Sequence, residues 1–110
     1  MAYDEDVADR IRAAIPRSDD VTEKKMFGGL AFLLHGNMAV SASGQGGLLL
    51  RVDPADTGSL ANEAGAARFE MRGREMNGWL RVDPTAITDD ADLERWVTVG
   101  LDYARSLPPK

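Results

Sequence analysis

The segment KKMFGGLAFLLHGN, from Lys24 to Asn37, joins two lysines, a Gly28-Gly29 pair and a long apolar run. A glycine pair before an apolar stretch can cradle a phosphate, or it can let one strand pass close to another. Phosphate loops have the pattern GxxxxGK[ST], or GxGxxG before a helix, whereas a strand pattern follows these glycines. The pair therefore predicts a bulge or a close backbone crossing where one strand bends into the next.

The apolar run continues into a predicted β-hairpin. Residues 30–34 read as a well-buried strand, and residues 37–42 alternate with an apolar set at Met38, Val40 and Ala42. His35-Gly36-Asn37 is typical of the turn between them. The stretch 22–27 could form a strand ahead of this hairpin, and residues 48–52 form the next strand after it.

Helices are predicted before and after these strands in the sequence. Residues 4–15 have an apolar face at helical spacing and an acidic first turn, and Pro16 ends that helix. The pentapeptide LRVDP occurs at 50–54 and again at 80–84, and in each copy Asp suits a helix cap and Pro the first helical position. The first copy predicts a short helix that ends near Gly65. After the second copy the helix is delayed to about Ala91, with Thr88, Asp89 and Asp90 as candidate caps.

A second hairpin is predicted between the last two helices. Phe69 and Met71 alternate with charged residues, and the turn is placed at 72–75, with Asn77-Gly78 as the competing position. The predicted order is α-β(3)-α-β(2)-α. This is an α+β domain with a mostly antiparallel five-stranded sheet and helices on one face.

The length and composition of the chain indicate the class of protein. Its 110 residues predict a single domain over 1–110, with residues 1–3 and 108–110 expected to be frayed and no C-terminal domain. Cysteine is absent, which excludes disulfides and thiolate chemistry. The acidic N-terminus does not resemble a signal peptide, and no apolar run reaches the about 20 residues that span a bilayer. We therefore expect a cytoplasmic protein without membrane contact.

Charge is unevenly distributed along the chain. The net charge is −5, yet residues 24–82 carry seven Lys and Arg against five Asp and Glu. Because strand side chains alternate, several of these cations could share the sheet face that the helices leave open, as a docking surface or as an ordinary solvated face. Nucleic-acid binders usually carry a clear basic excess, which this chain lacks. The candidate surface for a partner or nucleic acid consists of Lys24, Lys25, Arg51, Arg68, Arg72, Arg74 and Arg81.

No catalytic or metal-binding constellation stands out, so neither catalytic residues nor a cofactor are predicted. His35 is the single histidine and reads as a turn residue, because no carboxylate or second histidine is near it in sequence. Glu70 and Glu75 could face each other across the second hairpin as an acid/base pair, although solvated strand charges are commoner. The acidic run at 89–92 lacks the later residues of a calcium loop and fits helix capping.

Several of these motifs together resemble the TfoX N-terminal domain family. The resemblance is carried by MFGG at Met26, Phe27, Gly28 and Gly29, by Phe32 and Gly36, and by LRVD at 50–53, and it extends from about Val21 to Leu107. It implies a fold similar to that of secretion chaperones, α-β(3)-α-β(2)-α, and a link to regulators of natural competence. Where the family usually has an aromatic pair, this chain has Trp79-Leu80. The resemblance brings no catalytic residues with it.

From the residues and the resemblance we expect a non-enzymatic module that acts through protein contacts in gene regulation. One alternative is direct nucleic-acid binding by the basic sheet face and the second hairpin. The other is a small-molecule binder or enzyme whose site is not visible in the sequence. A sheet covered on one side also predicts a homodimer, because the other side needs a cover.

Overall fold

The computed structural model describes residues 3–17, 20–26 and 28–109. Within these ranges six strands form one antiparallel sheet in the order β1-β2-β3-β4-β6-β5, and three α-helices accompany it. The α+β class is confirmed. The elements are α1 (Glu5–Ala14), β1 (Val21–Met26), β2 (Gly29–Leu34), β3 (Asn37–Ala42), β4 (Leu48–Arg51), α2 (Thr57–Ala61), β5 (Ala66–Met71), β6 (Arg74–Val82) and α3 (Asp90–Ser106).

The predicted count of five strands is wrong by one, because β1 is a full strand. It pairs with β2 at every position from Val21 opposite Leu34 to Met26 opposite Gly29. Its four central side chains are exposed, so the sequence VTEKKM has no apolar alternation to mark it as a strand. Cross-strand pairing with β2 decides its structure.

The main core lies between the helices and one face of the sheet. Ile11 of α1 and Trp96 of α3 pack with Phe32, Val40 and Leu50 of the strands, all of them buried. Helix α3 comes very close to β3, since a Cβ on its Gly100 would lie 2.5 Å from the carbonyl oxygen of Ala39. This contact fixes α3 across the middle of the sheet.

Both LRVDP copies end a strand and their Asp residues act as caps, as predicted, but each Asp caps a short 3-10 helix, which the sequence pattern does not predict. Asp53 Oδ1 accepts the amide hydrogen of Ala55, and Asp83 Oδ1 accepts that of Thr85. Pro follows each Asp at the start of the turn. After the first copy the chain continues into α2, which ends at Ala61, earlier than the predicted end near Gly65. Helix α3 is capped by Asp89.

The Gly28-Gly29 pair shapes the sheet. A Cβ on Gly29 would collide with the backbone carbonyl oxygen of Ala42 on β3, so the two strands can approach only because the side chain is missing. Gly28 has φ of +73° with open space around it, a conformation that glycine adopts without cost. The close backbone crossing predicted from the sequence is confirmed.

Two tight turns close the hairpins. His35 and Gly36 have φ of 53° and 84°, and Arg72 and Gly73 have φ of 56° and 78°. Positive φ at both central residues is what a two-residue type I′ turn requires. The second turn thus lies at the start of the predicted 72–75 interval, and Gly78 belongs to β6.

Candidate functional site

The face of the sheet opposite the helices, called the open face here, has an apolar cluster of its own. Its members all come from strands, and none of the described helices contributes a residue to it. Three of them are buried by their neighbours, and four are half-buried with part of their surface in solvent. The buried ones are Ala31, Met38 and Leu49, and the half-buried ones are Met26, Leu33, Phe69 and Trp79.

Cross-strand pairing places two cations in one row on this face, Lys24 on β1 and Arg81 on β6, and the row continues from Arg81 to Ala67 on β5. The row contains direct neighbours on five adjacent strands, in the order Lys24, Ala31, Ser41, Leu49 and Arg81. Directly opposed residues of paired strands lie on the same side of a sheet. Lys24 and Arg81 therefore lie on the same face as the apolar cluster, on strands that also contribute Met26 and Trp79 to it.

A third cation, Arg51, lies beside Trp79. Arg51 and Trp79 are direct cross-strand neighbours, and the Arg51 guanidinium carbon is 5.7 Å from the centroid of the indole ring. The same carbon is 5.7 Å from the ring centroid of Tyr103 on α3. A cation over an aromatic ring at this distance is attracted by the ring quadrupole. Arg51 thus contacts a half-buried tryptophan of the open face.

Lys24, Arg51 and Arg81 form no ion pair within 4.0 Å with a described carboxylate, although the charge of Arg81 acts on the nearby Asp83, whereas several arginines near the helices are paired. Arg81 donates to two neutral groups, the hydroxyl of Ser43 and the carbonyl oxygen of Gln45, each at 3.1 Å. By contrast, Arg95 of α3 donates to both carboxylate oxygens of Glu63 at 2.6 Å. Arg10 pairs with Asp90, Arg12 with Glu23 and Asp9, and Arg105 with Asp102.

Two of these helix-side ion pairs shift the pKa values of their members. Hydrogen bonds from Arg12 hold the pKa of the Glu23 carboxyl below its usual value, and those from Arg95 do the same for the pKa of Glu63. The pKa of the Arg12 guanidinium is raised, chiefly by its hydrogen bond with Glu23. The charges of Arg12 and Arg95 are therefore balanced by carboxylates on the helix side.

The predicted basic surface does not form one patch. Lys25 is opposite Leu30, a residue of the main core, so it lies on the helix side of the edge strand. Arg68 lies against Gly58 of α2 and donates to Asn77 at 2.9 Å. Arg72 and Arg74 are exposed at the tip of the β5–β6 hairpin. Of the seven predicted residues, the structure brings together Lys24, Arg51 and Arg81 on the open face.

The structural motif residues have separate roles. Met26 is half-buried and belongs to the open-face cluster, while Gly28, Gly29 and Gly36 shape turns and strand contacts. Phe27 lies outside the described residues.

The remaining candidate groups lie at the surface. His35 is exposed in its turn, and Glu70 and Glu75 are opposed across the hairpin, both exposed, with Glu75 4.0 Å from the Nε of Arg68. Within residues 3–17, 20–26 and 28–109 no group of three or more His, Cys, Asp or Glu side chains is arranged for a metal ion. In the same ranges no helix has the length and apolar character to cross a membrane.

A shallow cleft lies on the helix side, between the end of β4, α2 and α3. Its volume is about 370 Å³, and its walls include Val52, Asp56, Ser59, Asp102 and Tyr103. Asp102 already pairs with Arg105. A small molecule bound here would contact Tyr103, whose ring lies beside Arg51.

Fold and surface together define a small α+β domain with one helix-covered sheet face and one open, apolar and positively charged face. The family model of the TfoX N-terminal domain matches residues 14–104. The chain therefore belongs to the TfoX N-terminal domain family. No curated protein and no solved structure matched it.

Proposed function

We propose that this domain is a non-enzymatic regulatory module that binds a protein partner on the open face of its sheet. Membership of the TfoX N-terminal domain family makes a competence-type or other gene-regulatory process its expected setting. The partner-binding role rests on the surface chemistry of the chain itself.

The observation that carries this proposal is the composition of the open face. Leu33, Phe69 and Trp79 leave part of their apolar surface in solvent on a sheet face that none of the described helices covers. Contiguous exposed apolar patches bordered by polar residues mark interaction sites. Trp79 has the features of a binding hot spot, since aromatic residues beside arginine are enriched at the centres of interfaces.

A capture experiment with matched variants tests the proposal. The purified domain is immobilised and exposed to an extract of its native host, and the retained proteins are compared with those retained by Leu33→Asp and Thr98→Asp. Leu33 is on the open face, whereas Thr98 is an exposed residue of α3. We expect the wild type and Thr98→Asp to retain the same protein and Leu33→Asp to lose it.

Thermal unfolding of all three proteins shows whether Leu33→Asp is folded. Retention of the partner by a folded Leu33→Asp contradicts the proposal, as does its loss by Thr98→Asp alone.

Nucleic-acid binding is the second candidate, and the cations of the open face and of the exposed hairpin tip favour it. Against this stands the net charge of −5, which repels a phosphate backbone. This alternative is supported if the captured fraction contains nucleic acid, and if nuclease treatment removes both the nucleic acid and any captured protein.

Self-association stays a prediction. Two open faces laid together would bring surfaces of like charge into contact, with Lys24, Arg51 and Arg81 on each. The outer strand β1 offers a different route, because its unpaired edge can take another strand. A homodimer is therefore expected to form by an edge and to leave the open face free.

A further inference from the structure

The backbone of the open face constrains what can bind on it. Strands β2, β3, β4 and β6 are each paired on both sides, so their backbone hydrogen-bonding groups are largely used within the sheet. A segment lying on these strands must satisfy its own backbone groups internally. A helix does so, whereas a single extended strand does not.

The charges of the open face constrain the occupant further. Lys24 and Arg81 stand four strand spacings apart in their row, which is about 19 Å at about 4.8 Å a spacing. Between them lie Ala31, Ser41 and Leu49, none of which is charged. At a rise of about 1.5 Å a residue, a helix covers this distance in about 13 residues.

The geometry points to an amphipathic helix of a partner protein that lies across the strands of the open face and has acidic residues at both ends. This inference rests on the proposed function. The carboxylates of this helix meet Lys24 at one end and Arg81 at the other. Its apolar side packs on the half-buried Leu33 and Trp79, and its length extends across β1 to β6. Arg51 adds to the positive field along this path and steers an acidic segment toward it.

A second copy of the chain fits this face less well. It would present the same cations, and like charges across an interface cost affinity. Charge complementarity therefore favours an acidic partner over a face-to-face dimer.

Two synthetic peptides provide the probe. Each has about 18 residues with leucines at i, i+3, i+4 and i+7 spacing, one with glutamates at both ends and the other with lysines there. Binding is followed by tryptophan emission, because Trp79 is half-buried on the open face while Trp96 is only 3% exposed in the core. We expect a saturable blue shift with the acidic peptide and affinity at least about tenfold weaker for the basic one, or about 1.4 kcal/mol.

Three variants locate the binding. Lys24→Glu and Arg81→Met are each expected to weaken the acidic peptide several-fold. Lys25→Glu is the matched control, since it makes the same charge change on the same strand but on the helix side. Lys25→Glu should change the affinity for the acidic peptide by less than a factor of about two, because salt screens the long-range effect of the altered charge.

Equal affinity for the two peptides, or an equal loss in Lys25→Glu and Lys24→Glu, overturns the inference. The absence of any saturable shift with the acidic peptide also overturns it. If Leu33→Asp still loses a captured protein in that case, the open face remains a docking site and only the helical, acidic partner is rejected. A doubled mass in solution that Leu33→Asp returns to the monomer also overturns it, in favour of a second copy.

Discussion

The guanidinium carbon of Arg51 lies 5.7 Å from the centroid of the Trp79 ring on the neighbouring strand, and Tyr103 is at the same distance from that carbon. One side chain therefore connects the half-exposed tryptophan of the open face with helix α3. Cation–π contacts at partly exposed sites contribute about 0.5–1 kcal/mol each.

Arg51→Met is expected to lower the free energy of unfolding by about 1 kcal/mol and to shift Trp79 emission to the red, because the ring loses its neighbour. Arg51→Lys should recover part of both effects. Chemical denaturation and fluorescence spectra measure them. Unchanged stability and emission in Arg51→Met would mean that the stacked arrangement does not persist in solution.

Gly29→Val is expected to destabilise the fold by about 1–3 kcal/mol, because any Cβ at this position collides with the carbonyl oxygen of Ala42. Gly28→Asn is the control: Gly28 has a positive φ that asparagine tolerates, and the space around it is open. Thermal melting should show a large drop for the first variant and a small one for the second. Equal midpoints for Gly29→Val and wild type would remove the steric account of the glycine pair.

The ion pair between Glu63 and Arg95 predicts an acid-dependent loss of stability. The pKa of Glu63 is lowered in the folded protein, so the ion pair stabilises it fully above the ordinary glutamate pKa near 4.5. This contribution is lost as the pH falls from there through the lowered value. Denaturation between pH 6 and about pH 3 should therefore show a shallower decline for Glu63→Gln than for wild type. Parallel curves would contradict the assignment.

Duplex DNA of random sequence is expected to show little or no mobility shift with micromolar protein at physiological salt. Each phosphate contact makes affinity fall with salt, and the chain has a net charge of −5. The double variant Arg72→Glu with Arg74→Glu tests the exposed hairpin tip, where a contact would be easiest to make. A salt-sensitive shift that this variant loses would establish direct DNA binding instead.

A homodimer at micromolar concentration should give about twice the chain mass of 11.9 kDa in light scattering coupled to size exclusion. If the dimer forms by an edge strand, as proposed, Leu33→Asp keeps the doubled mass. A clean monomer at high concentration contradicts the prediction of self-association.

The sequence predicts local structure in this protein well. Proline and aspartate mark where the helices begin and end, and alternation marks the β2–β3 hairpin, because these signals depend on residues that are neighbours along the chain. The sequence predicts β1 only as a possible strand, because its exposed side chains show no alternation, and its pairing with β2 supplies what the local sequence does not.

The division of the basic residues between two faces could not be read from the sequence. The pairing of β5 with β6 shifts register between Arg68 and Glu70, and Gly78 has a positive φ within β6, so simple alternation fails there. The contact of Arg51 with Tyr103 joins residues from β4 and α3, which only the packed fold brings together.

Site-specific photo-cross-linking from the open face tests the central claim most directly. A photoreactive phenylalanine derivative replaces Leu33 in one protein and Thr98 in another, and both are irradiated in the native host. The account predicts a discrete protein adduct from position 33 and none from position 98. An adduct from position 98 alone, or a nucleic-acid adduct from position 33, would contradict protein docking on the open face.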